Sequence, residues 1–372
     1  MNILVFSWRD PKHPLAGGAE QVMHQHMKGW IKAGYQVMLF SSRFPNSQPE
    51  EYIGGVKIIR GGYQYLGVQI AGFYYYLKNK SNFDFIVDQF HGLPFFTPLY
   101  VRKPKLAVIQ ETARKVWFLN PLPRPLNWVI GLLGYWVEPF IFLIYKKTPF
   151  MTGSESAKAD VIKMGIPPKN IAVIPHGVIT TKLKVKSTKL KVKTVVYLGI
   201  LSKDKGIEDA IKCFSLLPPT WQFWVIGKPE TAKYFNQLKR LVNKLNLSKK
   251  IKFWGYVTQA KKFTLLSRSH ILVNPSVHEG WGLVNIEANS VGTPVVAYKS
   301  QGIIDSIEEG VSGILCSQNS PENLASNIVD LLANQKEYQK LQQGALRWSK
   351  NFDWNKSRQQ SLQLVKKVYS FY

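Results

Sequence analysis

Two glutamates eight positions apart, Glu279 and Glu287, stand in the stretch NPSVHEGWGLVNIEANS, residues 274–290. Between them Gly280 and Gly282 let a backbone approach a ligand closely, and residues 283–288, beginning at Leu283, form a short helix-competent run. An apolar run at 270–273 precedes the stretch; Gly292 and the strand-like 293–298 follow it. The order strand, glycine loop, helix, turn, strand suits an anion, because a helix start offers free N–H groups and a positive dipole at the carboxyl edge of a parallel sheet. The plainer alternative is two solvated carboxylates near a helix start, where negative charge is favourable in any case. A second glycine turn, GILSKDKG at 199–206, brings Lys203 and Lys205 to a strand end, where Lys203 also reads as a solvated turn residue. A third loop, RDPKHPLAGGAE, ends in Gly17 and Gly18, which read as a phosphate or sugar contact or as a simple tight turn. Its spacing is not the dinucleotide GxGxxG. His91 and the pair Gln110–Glu111 each follow a strand-like run, the position where ligand-facing residues collect.

The elements that must position these groups alternate strand and helix along the whole chain, which predicts α/β architecture with parallel sheets. With 372 residues, two domains are expected. The first takes residues 1–178 and is completed by a last helix at 353–372; a lysine-rich linker, TTKLKVKSTKLKVK, occupies 179–193; the second takes 194–352.

The string P-S-x-x-E-G-W-G-L with its second glutamate, the GTPVVA that follows, and GGAE in the first loop together resemble the retaining nucleotide-sugar glycosyltransferases of family 4. The resemblance implies the GT-B fold, two Rossmann-like domains with parallel sheets facing across a cleft, the donor held mainly by the second. It implies transfer of a hexose from a UDP- or GDP-linked sugar to a sugar or lipid-linked hydroxyl with retention, in cell-envelope polysaccharide or glycolipid synthesis. Glu287 would take the ribose hydroxyls, Glu279 the sugar ring, and the loop from Gly280 through Trp281 and Gly282 to Leu283 the phosphate or sugar oxygens. Lys205 would stabilise the leaving diphosphate, and Gly17, Gly18 and Lys203 would complete the donor site. No metal is expected, no DxD triplet occurs, and no cofactor beyond the donor is implied. Two positions depart from the family pattern: Ile200 stands where an arginine is usual, and Gln110 where many members carry a histidine. These departures motivate an alternative, a catalytically weak or inactive scaffold of the same fold at a membrane.

Composition bounds the setting. The net charge is +26, with basic residues in excess in both halves, yet no nucleic-acid module is present, so an anionic membrane is the preferred partner over nucleic acid. Cys213 and Cys316 lie in apolar runs without metal spacing, as buried thiols of a reducing cytosol would. The opening MNILVFSW reads as a first strand rather than a leader. Residues 117–147 are strongly apolar and aromatic, interrupted by Glu138 and Pro139. A core helix broken at Pro139 is the preferred reading, a segment in the membrane interface the other, with the tip at 117–128 as the contact point.

Overall fold

The computed structural model describes residues 1–64, 66–90, 92–119, 122–178 and 192–372, and the chain forms two compact units, Met1–Gly177 with Trp354–Tyr372, and Val178–Asp353. The linker expected at 179–193 therefore lies, up to residue 191, outside the described residues.

The first unit begins with β1 (Asn2–Phe6), α1 (Gly18–Lys32), β2 (Gln36–Ser41), β3 (Glu50–Ile53), β4 (Val56–Arg60) and α2 (Leu66–Asn79). It continues with β5 (Phe85–Phe90), β6 (Lys105–Ile109), α3 (Leu126–Ile144), β7 (Phe150–Thr152), α4 (Glu155–Lys163) and β8 (Ile171–Val173). The sheet runs β3-β4-β2-β1-β5-β6-β7-β8, parallel except for the β3–β4 pair. The chain steps outward from β1 to one edge and then returns to β5 on its other side, so the strand order reverses between β1 and β5. Alternate residues divide the core between two faces. Ile3, Val5, Phe85, Val87, Leu106 and Val108 face one way, with Met23, Met27 and Trp30 of α1 upon them. Leu4, Phe6, Ile86, Phe90, Ala107 and Ile109 face the other. There Val68 and Tyr76 of α2, and Phe142 with Tyr145 at the end of α3, cover the sheet.

α3 corrects the reading of residues 117–147 as a broken core helix. The helix continues through Pro139, and most of its large apolar side chains are exposed. Only a narrow inner stripe, Gly131, Glu138, Ile141 and Phe142, is buried. The expected tip is divided: Trp117 packs against Gly134 and Phe118 against Gly131, so closely that a Cβ on either glycine would lie within 2.6 Å of a ring atom, while Leu122, Leu126 and Trp128 are exposed.

The second unit comprises β9 (Thr194–Leu198), α5 (Ile207–Ser215), β10 (Gln222–Ile226), α6 (Ala232–Lys244), β11 (Ile251–Gly255), α7 (Gln259–Arg268) and β12 (Ile271–Asn274). After these come α8 (Leu283–Asn289), β13 (Val295–Ala297), α9 (Ile303–Ser306), β14 (Gly313–Leu315), α10 (Pro321–Ala333) and α11 (Gln335–Ser349). All its pairs are parallel and the order is β11-β10-β9-β12-β13-β14. This is the doubly wound order, with helices on both faces and the reversal between β9 and β12. Cys213 and Cys316 are buried in its core, where burial pushes both thiols up and holds them protonated.

α12 (Trp354–Ser370) returns to the first unit and packs on α1. Trp30 Nε1 donates to Ser361 Oγ (3.2 Å), Arg358 reaches Gln25, and a Cβ on Gly29 would lie 2.7 Å from Arg358 Cβ. At the start of α12, Trp354 stacks on His176, whose Nε2 is 2.7 Å from Gln110 Oε1, and both meet the fully buried His26. Neither ring nitrogen of His26 has a hydrogen-bond partner. Burial pushes both histidines down to about 3, helped by the Arg358 charge for His26 and by the neighbouring His26 for His176. The unfolded chain therefore takes up protons near the ordinary histidine value while the folded chain does not. Stability is full above about pH 6.5 and declines as pH falls toward about 3, by at most about 1.4 kcal/mol per pH unit for each histidine. Urea midpoints measured from pH 7 to 4 should show this decline, and His26→Leu should make it shallower; an unchanged slope in the variant would refute the assignment.

Candidate active site

Both sides of the second unit's reversal point carry glycine loops, and hydrogen bonds stitch the two loops together. The turn after β9 is held from below by Tyr197, a buried phenol whose hydroxyl donates to Ile200 O (2.9 Å), with Lys205 O at 3.3 Å. Its last residue, Gly206, has φ +69°, and a Cβ there would lie 2.1 Å from Pro275 O of the loop after β12. Only glycine allows that approach. Val277 N and Ser276 Oγ both donate to Asp204 O, at 3.0 and 3.3 Å. Beneath the second loop a buried amide chain fixes β12 to α8 and α9: Asn274 Nδ2 donates to Asn285 Oδ1, and Asn285 Nδ2 to Ser306 Oγ, both at 2.9 Å.

This frame brings Lys205 and Glu279 together. Lys205 Nζ lies 3.1 Å from Glu279 Oε2, 3.3 Å from His278 O and 3.5 Å from Asp204 Oδ2. Lys205 and Glu279 are each about one-fifth exposed, open enough to meet a ligand and enclosed enough for their charges to act strongly. Glu279 N donates to Gln301 O (3.1 Å), and its carbonyl rests on Gly302, where a Cβ would lie 1.9 Å away. The first carboxylate is thus positioned by its main chain on both sides. Glu287, on α8, pairs with Lys262 of α7 at 2.5 Å.

Lys262, the partner of Glu287, is a candidate site residue that sequence reasoning missed. It belongs to a helix with no motif of its own, and only the packing of α7 against α8 reveals the pair. The other named residues fall as follows. Gly280 and Gly282 lie on the loop, Gly282 at φ +75° directly before Leu283, the first residue of α8. Trp281 turns its side chain into the core against Phe352 (5.2 Å), so that side chain contributes packing. Lys203 is exposed on the turn. Ile200, in the place of the expected arginine, is 36% exposed and adds no charge.

In the first unit, Gly17 caps α1 and Gly18 begins it, with Gly17 N donating to Glu20 Oε2 (2.7 Å). Gln110 and Glu111 follow β6, and Gln110 is bonded to His176 as described above. His91 lies outside the described residues.

Two sequence models of known families match. "Glycosyl transferases group 1" matches residues 179–348 and "Glycosyltransferase Family 4" matches residues 16–182. Among curated proteins, an uncharacterised glycosyltransferase of Methanocaldococcus jannaschii is 28% identical over 47% of this chain and 47% of its own. The chain spans about half the length of the curated relatives it matches. Among solved structures, the sucrose-phosphate synthase of Thermosynechococcus elongatus superposes with a TM-score of 0.81 at 20% identity, covering 100% of both chains. Anabaena HepE, solved in complex with UDP-glucose, superposes with a TM-score of 0.75 at 18% identity, covering 99% of this chain and 100% of that one. With doubly wound parallel sheets in both units and matches that together take in residues 16–348, the chain belongs to glycosyltransferase family 4 and has the GT-B fold.

Proposed function

We propose that this protein transfers a hexose from a nucleoside diphosphate sugar to an acceptor hydroxyl with retention at the anomeric carbon, in cell-envelope polysaccharide or glycolipid synthesis at the cytoplasmic face of a membrane. The observation that carries the proposal is the Lys205–Glu279 pair, set by two interlocked glycine loops at the reversal point of the second unit's sheet. Ligands of open α/β sheets bind at such points. A cation there meets the diphosphate as negative charge grows on the leaving group, where fixed charge lowers a barrier most. The neighbouring carboxylate accepts from sugar hydroxyls. Lys262 holds Oε1 of Glu287, and Oε2 is the oxygen assigned to the ribose. A GT-B protein solved with UDP-glucose supports the class of donor. Retention is assigned to front-face attack, in which the leaving phosphate takes the acceptor proton; among the described residues the nearby Asp204 is engaged with Lys205, and no other carboxylate stands out as a nucleophile.

Thermal unfolding in the presence of UDP-glucose, other UDP-sugars and GDP-sugars tests the donor. One of them should stabilise the protein, by about 2.7 kcal/mol at a hundred times its dissociation constant. Glu287→Gln should weaken that stabilisation. No shift with any nucleotide sugar would refute the donor site. A shift without turnover would favour the scaffold reading that Ile200 suggests.

A further inference from the structure

α3 and α2 lie on the same face of the first unit's sheet, because their partners Phe90 and Ile86 point to the same side of β5. Both helices leave an apolar stripe in solvent. On α3 it includes Trp128, Leu133, Trp136, Phe140 and Leu143, with Trp136, Phe140 and Leu133 at 68%, 65% and 60% exposure. On α2 it is Leu66, Ile70, Tyr74 and Leu77, spaced to share one side of a helix.

The stripe on α3 is held outward by the chemistry of its other side. Glu138, buried at the middle of the helix, accepts from Ala113 N and Arg114 N (both 2.7 Å) and from Trp117 Nε1 (3.2 Å). Just beyond the helix, Tyr145 donates to the buried Asp88 at 2.5 Å. Gly131 and Gly134 are filled by the Phe118 and Trp117 rings. Rolling the helix to hide Trp136 would pull a carboxylate from three donors, so the apolar face stays exposed.

We infer that α3, with α2 beside it, is a docking face for an anionic lipid bilayer, in which α3 lies in the plane of the interface. This deepens the membrane part of the function proposed above and rests on that part alone. Charge selects the occupant. Residues 61–83 contain no acidic side chain, and residues 120–149 contain only the buried Glu138. Lys78, Lys80, Arg124, Lys146 and Lys147 are exposed at the ends of the two helices. Glu50 of β3, which lines a pocket with Tyr74 and Lys78, is an acidic neighbour, but the face is ringed mainly by cations, which repel its own copy and attract anionic headgroups, and tryptophans flanked by lysines suit the headgroup boundary. α3 is long and apolar enough to cross a bilayer, but its inner side is committed to protein contacts, which leaves the in-plane arrangement.

The test is flotation of the full chain with phosphatidylcholine vesicles, with and without phosphatidylglycerol, alongside the double variant Trp136→Glu/Phe140→Glu. Both positions are exposed, so the variant should keep its thermal midpoint and its stabilisation by a nucleotide sugar. Wild type should float with the anionic vesicles and stay soluble with the neutral ones, and the variant should lose at least about tenfold in recovery. Brominated lipid should quench wild-type tryptophan fluorescence, a measurement that does not depend on the variant. Equal recovery of both proteins, or no recovery of wild type, would overturn the proposal. So would a wild-type dimer that the variant dissolves, which would make a second copy the occupant. If flotation fails while a nucleotide sugar still stabilises the protein, the donor reading stands alone; flotation without any such stabilisation keeps the docking face and refutes the donor.

Discussion

Lys205→Met is expected to lower the turnover number by about 10²–10³-fold, or about 2.7–4 kcal/mol, with a much smaller change in KM. The reasoning rests on when the charge is needed. Lys205 sits 3.1 Å from Glu279 before any donor arrives, so its charge is already balanced in the free protein. In the proposed transfer, negative charge builds on phosphate oxygens as the glycosidic bond to the diphosphate breaks, and the fixed ammonium would gain most at that moment. A loss confined to binding would raise KM and spare turnover. Lys205→Arg keeps the charge and should recover part of the rate. Because Ile200 supplies no second cation, the dependence on Lys205 should be steep. Steady-state kinetics with the donor found by thermal shift decides it, and a turnover number within twofold of wild type would refute the role.

Arg60→Met is expected to cost about 3–5 kcal/mol of stability, the largest such effect foreseen for a single polar substitution in the first unit. Arg60 ends β4 with its side chain fully buried; its Nε lies 2.7 Å from Asp10 Oδ2 and its Nη2 2.5 Å from Glu51 Oε1, while Nη1 donates to Gln48 O. Removing the guanidinium strands the carboxylate of Asp10, which is itself fully buried, with only the Ser41 hydroxyl and the Lys12 amide as donors. The same change loosens the loop after β1, which leads to Gly17. Urea unfolding should show the loss, and Asp10→Asn added to Arg60→Met should restore part of it. A single-variant loss under about 1 kcal/mol would show that water reaches the pair and screens it.

How much was legible follows from which physical signals are local. Lys105–Ile109, apolar after its first residue, is the strand-like run that the sequence places before Gln110. The glycine loop before α8 was legible too, because glycines, a helix-competent run and flanking β-branched residues are all neighbours in the chain. Glu50–Ile53 carries no strand signal of its own: it is a charged edge strand, and its pairing with β4 comes from the Gly54–Gly55 turn rather than from apolar alternation. The burial of α3 was misread because hydropathy records how apolar a helix is, not which side a buried carboxylate keys inward. Lys262 and Tyr197 were invisible for a related reason. An ion pair between successive helices, and a phenol reaching under a glycine turn, are set by packing distances that no spacing rule encodes.

α12 has a consequence for biosynthesis. Trp30, at the centre of the first unit's core, finds its indole partner in Ser361, 331 residues later. Val365 and Val368 complete the same core. A growing chain emerges N-terminus first, so the second unit has all of its strands outside the ribosome while the first still lacks a helix. The unit begun first is completed after the second unit's strands are made, and until residues 354–370 have emerged the α1 side of its sheet lacks that cover.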